Sequence, residues 1–92
     1  MVQIRWSRRA THDLNAIRAY VEQFHVPAAR RLATRLIALA DSLAEFPDRG
    51  TPIEGGRRQL STVWPYLLIY RREEGLVRIL GIRHGARMPP DE

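Results

Sequence analysis

Two hydrophobic periods divide the chain. Val2, Ile4 and Trp6 alternate with Gln3 and Arg5, the period of a half-buried strand, with Trp6 expected in the core. Ala10, Leu14, Ile17, Val21 and Phe24 then recur at spacings of four and three, one stripe of an α-helix that starts from an N-cap at Ser7. The capping box is incomplete, because Ala10 stands where Glu or Gln would reach back. His25 and Val26 interrupt the stripe, and Pro27 opens a second helix. There Ala29, Leu32, Leu36, Leu39, Leu43 and Phe46 keep helical period until Pro47 ends it. So short a link folds the two helices back as an antiparallel pair.

Residues 47–56 hold two Pro and three Gly and little to bury, which predicts a loop. Strand patterns resume at 57–63, 66–72 and 76–83, with Leu60 inward and Arg58 and Thr62 near the surface. Trp64-Pro65 marks a corner, since Pro supplies no donor to a sheet ladder. The last two runs flank Arg72-Glu73-Glu74-Gly75, a charged, Gly-ended connection that reverses a strand in a hairpin, with Glu73 and Glu74 as solvated turn residues. The run 76–83 carries apolar residues on both faces, which places it inside the sheet.

The order strand, helix, helix, strand, strand, strand predicts an α+β fold: an N-terminal strand, an antiparallel helical hairpin and a three-stranded antiparallel meander. The helices pack on one face of a four-stranded sheet, and the first strand takes an edge beside the last. One sheet face and one edge stay open to a partner. With no repeat and no linker, residues 1–92 form a single domain, and a chain of this size buries roughly 65% of its unfolded surface.

Composition narrows the chemistry. There is no Cys, hence no disulfide, thiolate nucleophile or Cys-based metal site. No apolar run approaches the roughly 18 residues of a membrane span, and the N-terminus leads straight into a strand, so a cytoplasmic protein without membrane association is expected. The net charge is +5, and all 15 basic residues are Arg. Codon bias in a GC-rich genome is an alternative, non-functional reason for the absence of Lys, but it leaves the excess charge unexplained. Arg suits bidentate recognition of carboxylate or phosphate, so an acidic protein partner or a nucleic acid is expected. Arg30, Arg31 and Arg35 sit in the first two turns of the second helix, where cations oppose the helix dipole, which points to something outside the helix.

His12 and His25 read as solvated surface residues, and three widely spread His give no metal-ligand spacing, so neither metal nor cofactor is expected. His84, at the end of a strand before Gly85, is either a general base or a residue packed on the sheet. Trp64 is either a core plug or an exposed anchor.

These pieces in their order resemble a known family. The opening strand with Ser7-Arg8-Arg9-Ala10, then Asp13-Leu14, Ile17 and Tyr20, Ala28-Ala29, Leu43, Pro47, Gly50 and Arg58 are similar to the RelE/ParE toxins of type II toxin–antitoxin systems. So are Pro65-Tyr66-Leu67-Leu68-Ile69-Tyr70-Arg71, Ile79-Leu80 and His84-Gly85-Ala86-Arg87, so that the resemblance spans essentially the whole chain. It implies a toxin held inactive by a cognate, acidic, adjacently encoded antitoxin in a hetero-oligomeric complex. The ParE branch poisons DNA gyrase and is associated with plasmid stabilisation. The RelE branch is a ribosome-dependent endoribonuclease that cuts messenger RNA with basic residues.

RNA cleavage by 2′-hydroxyl attack needs a proton acceptor, charge on the phosphate and an acid for the leaving oxygen. The RelE pattern implies Lys before the hairpin, an Arg just after a Tyr in the first hairpin strand, and an Arg and a Tyr near the C-terminus. Here Leu67 follows Tyr66, Lys is absent, and Met88-Pro89-Pro90-Asp91-Glu92 follows Arg87 without a Tyr. Among Arg57, Arg58, Arg71, Arg83, His84 and Arg87, only His84 can act as a base near neutral pH. The expectation is therefore a ParE-like gyrase poison with no catalytic residues, meeting its target or antitoxin through Arg71, Arg83, His84, Arg87 and Trp64. The alternative is a nuclease using His84 with Arg58, Arg71 and Arg87. A third reading is a basic nucleic-acid-binding module or inactive toxin, against which stands the absence of a recognition-helix motif or base-stacking aromatics.

Overall fold

The computed structural model describes residues 1–87; the side chain of Arg87 and residues 88–92 lie outside the described residues. The elements follow in the order β1 (Gln3–Trp6), α1 (Arg8–Glu22), α2 (Val26–Asp41), β2 (Thr51–Ile53), β3 (Arg57–Leu60), β4 (Tyr66–Glu73) and β5 (Leu76–His84). They build one sheet in the order β1-β5-β4-β3-β2. β1 runs parallel to β5 at one edge, as its isolation before the helices requires, and the other pairs are antiparallel.

The sheet has five strands where the sequence pattern gives four. The additional strand, β2, lies in the segment read as a loop and pairs Thr51 with Gln59 and Ile53 with Arg57. Pro52 is tolerated because β2 is an edge, where a missing N–H interrupts no ladder on the outer side. β3 ends at Leu60, short of the expected 63, as the chain turns toward the Trp64-Pro65 corner.

The helices start where their caps allow. Ser7 Oγ accepts a hydrogen bond from Ala10 N (3.0 Å). His25, read as a solvated surface residue, is exposed but also caps α2, its Nδ1 accepting from Ala28 N at 3.0 Å, so the helix begins at Val26. A 3-10 turn at Ser42–Ala44 ends the α2 stripe early, which leaves Phe46 62% exposed; Phe24, just past α1, is 72% exposed. Both fit the helical period but fall beyond the packed faces.

The core lies between the helical pair and one face of the sheet. Leu36, Leu43, Leu68, Tyr70, Val77 and Ile79 are the largest fully buried side chains, and Ile4, Trp6, Leu14 and Ile17 pack against them. Each such aliphatic group contributes about 1.5–3 kcal/mol by leaving water. Beyond Trp6 the edge of β5 is no longer covered by β1, and α1 completes it: Ser7 Oγ donates to Leu80 O (3.2 Å), and Asp13 Oδ2 accepts from Ile82 N (3.0 Å).

Candidate functional site

The β4–β5 hairpin carries most of the candidate residues, so its register decides what they can do together. Tyr66 pairs with His84 and Leu67 with Arg83, but after Ile69↔Gly81 the ladder shifts, and Tyr70 pairs with Ile79. The extra residue, Leu80, is a β-bulge. It switches the inward-facing positions of β5 from Val77 and Ile79 to Ile82, and this switch, more than burial on two sides, makes the strand look apolar on both faces. β4 is the strand that buries both faces. Leu68 and Tyr70 join the helix-side core, while Leu67 and Ile69, 5% and 3% exposed, lie outside that cluster on the opposite face.

His84 belongs to the helix side. Its ring meets Tyr66 edge-on, with centroids 5.3 Å apart, and both line a hollow of about 200 Å³ with Ala16, Ile17 and Tyr20 of α1. Its Nδ1 is buried and has no hydrogen-bond partner among the described residues. No carboxylate orients the ring among the described residues, so its surroundings are those of a packed aromatic neighbour.

Arg58 also lies on the helix side, opposite Tyr70 in register, and its guanidinium is occupied. Nη1 donates to Asp48 O (3.1 Å) and Gly50 O (2.8 Å), and Nε lies 3.9 Å from Asp48 Oδ1. Arg72 reaches Asp48 Oδ2 as well, at 2.5 Å. Beneath them the buried Tyr70 hydroxyl donates to Pro47 O (2.8 Å) and accepts from Gly50 N (2.9 Å). Burial raises the Tyr70 pKa, against the lowering effect of the Gly50 N–H and of Arg58. Gly50 is required here: a Cβ would stand 2.6 Å from the Tyr70 hydroxyl oxygen. The arginine is therefore a clasp on the 47–50 loop.

The other arginines of the hairpin face the open side. Arg71 Nη2 donates to Gly55 O (2.9 Å), and the adjacent Arg57 Nε donates to Glu54 O (2.9 Å), so both brace the turn between β2 and β3. Arg83 lines a shallow cavity of about 130 Å³ with Arg9, Asp13, Arg57, Ile69, Leu80 and Gly81. Four residues along β4 separate the Arg71 position from Leu67, the partner of Arg83, a distance of roughly 13 Å at strand rise. Arg71 and Arg83 thus share a face at separate positions along the hairpin, and Arg57 and Arg9 join Arg83 at its cavity.

Trp64 is 64% exposed and so is not a core plug, and its ring edge lies over Gly85, where a Cβ would come within 2.9 Å of it. Glu73, read as a solvated turn residue, forms an ion pair with Arg78 at 3.2 Å. The side chain of Arg87 lies outside the described residues. The candidate nuclease set is thus divided, with His84 and Arg58 on the helix side and Arg71 on the open side. Arg57, one of the arginines the sequence offers for phosphate contact, lies at this cavity; the presence of Arg9 and Asp13 there depends on α1 crossing the β5 edge. Among the described residues no group of three or more His, Cys, Asp or Glu could hold a metal, and no helix is long and apolar enough to cross a membrane.

Comparison with known proteins agrees with this architecture. The family model of the ParE toxin of type II toxin–antitoxin systems, parDE, matches residues 4–89. The chain belongs to the ParE toxin family. Toxin RelE2 of Caulobacter vibrioides is 49% identical to it over 88 residues, 96% of this chain and all of that one. A solved structure of a chromosomal ParDE toxin–antitoxin system from P. aeruginosa superposes with a TM-score of 0.80 at 26% identity, covering 91% of this chain and 96% of the other. The five-stranded mixed sheet under two helices is thus the fold of a toxin of this family, and a cognate antitoxin is implied as its partner.

Proposed function

We propose that this toxin acts in the cytoplasm as a ParE-like poison of DNA gyrase, stalling the enzyme on cleaved DNA, and is not itself a catalyst. One observation carries the reading. His84, the one candidate able to move a proton near neutral pH, stands on the sheet face opposite Arg71 and Arg83, and Leu67 occupies the hairpin position where the RelE pattern implies Arg. A phosphate bound at Arg83 and Arg57 would have charge stabilisation and no facing base from that set. Arg71, Arg83, His84 and Trp64, with Arg87, are the proposed contacts to target or antitoxin.

The name of the Caulobacter relative, RelE2, favours the second reading, a ribosome-dependent endoribonuclease. Purified toxin incubated with gyrase, ATP and supercoiled plasmid is expected to accumulate linear plasmid after detergent and protease treatment. Absence of linear plasmid in a preparation that arrests growth contradicts the proposal.

A further inference from the structure

The strand registers place four arginines side by side across the open face of the sheet. Arg5 of β1 pairs with Arg78 of β5, and Arg78 pairs in turn with Arg71 of β4. One step beyond the Arg58↔Tyr70 pair, Arg57 of β3 stands next to Arg71. Strand alternation turns all four away from the helices, because Ile4, Val77, Tyr70 and Leu60 belong to the helix-side core. At a strand spacing of about 4.8 Å the row spans roughly 14 Å. Like charges directly opposite each other in a sheet cost stability, and the fold offsets little of this row. Glu73 pairs with Arg78, whereas Arg5 donates to Gln3 Oε1, and Arg71 and Arg57 donate to the carbonyls of Gly55 and Glu54. These neutral acceptors fix where the guanidiniums sit and leave their charge uncompensated. Arg5, Arg57 and Arg71 form no ion pair among the described residues.

We propose that this row binds the phosphate backbone of duplex DNA, so that the toxin grips the DNA segment held by gyrase as well as the enzyme. The inference rests on the gyrase reading for the source of that DNA. Chemistry and dimensions select this occupant. Guanidinium suits phosphate, and the span of the row matches about four phosphates along one strand of a duplex. A peptide would find little apolar surface here, because Leu67 and Ile69, the hydrophobic residues of β4 on this face, are buried. Single-stranded nucleic acid is held by stacking its bases on aromatic rings, and the strands present none on this face. Trp6, Tyr66, Tyr70 and His84, the aromatic residues of the strands, all lie on the helix side. Arg83, on the open face toward the end of β5, extends the positive surface beyond the row.

The test follows binding of the full toxin to a labelled DNA duplex of about 20 base pairs by fluorescence anisotropy, from about 50 to 200 mM salt. Parent affinity is expected to fall steeply with salt. Arg5→Gln with Arg78→Gln is expected to weaken binding about tenfold or more at low salt and to lower the slope of log affinity against log salt by about two. Arg5→Lys with Arg78→Lys is expected to keep the parent slope, which a purely structural role would not predict. Arg5→Glu alone, at an exposed position of an edge strand, repeats the loss should the double substitution unfold the chain. A parent that does not bind the duplex, or folded variants that bind it as the parent does, overturns the row and leaves the gyrase reading standing. Duplex binding with the expected slopes, in a preparation that yields no linear plasmid with gyrase, upholds the row and overturns the gyrase reading. A single-stranded RNA of the same length bound about tenfold more tightly than the duplex overturns the choice of DNA.

Discussion

The arginines of β3 to β5 and those of α2 carry the same charge and have opposite relations to the fold. Around the 47–56 segment they are spent internally: Arg58 and Arg72 hold Asp48, and Arg57 and Arg71 hold the carbonyls of Glu54 and Gly55. On α2, Arg31 and Arg35 form no ion pair among the described residues. The difference teaches that the excess positive charge of the sequence is not spread evenly as a binding surface. Arginines that look like a catalytic cluster, being close in sequence to a hairpin, are partly scaffold, and arginines on a plain helix face are the uncommitted ones.

The most severe way to break the comparison is at the loop itself. Gly50→Ala places a methyl group within 3 Å of the Tyr70 ring, and the loop must move away from Tyr70 and Arg58 together. A loss of about 3 kcal/mol in urea unfolding is expected; a change below about 0.5 kcal/mol would show that the loop is not clasped.

Tyr70→Phe is milder, at about 1–3 kcal/mol, because it leaves the buried Gly50 N–H and Pro47 O unpaired without a clash. It also has a signature in pH. The Tyr70 pKa is raised in the folded protein, so its contribution is complete below the unfolded value near 10 and is lost as the pH rises toward the folded one. The parent is expected to lose stability above about pH 10 more steeply than Tyr70→Phe. Parallel curves would contradict the assignment.

The smallest effect has the opposite sign. Arg31→Gln and Arg35→Gln remove a like-charge pair that no ion pair among the described residues offsets, and each is expected to leave the free toxin unchanged or more stable by about 0.3 kcal/mol at low salt. Destabilisation above about 1 kcal/mol would mean that these side chains also serve the fold.

Much of this architecture is legible in the sequence because periodicity reports burial. The Val2-Ile4-Trp6 alternation, the two helical stripes and the Gly75 hairpin all lie where their patterns put them, and the edge position of β1 follows from its isolation. β2 is not legible, since Thr51-Pro52-Ile53 has no strand pattern and extends only because β3 pairs with it. The bulge at Leu80 is hidden for a similar reason: it changes which residues face inward without changing which are apolar. The division of the candidate site follows from that register, and the clasp by Arg58 depends on carbonyls eight and ten residues upstream that no local pattern announces.

The central claim, a toxin that acts without cutting RNA, is tested most directly by one side-by-side measurement. The same preparation is given to gyrase with supercoiled plasmid and to translating ribosomes with a defined message. The account predicts trapped, linearised plasmid and intact message. Message cut at the ribosome and restored by His84→Ala, with the plasmid untouched, would contradict it.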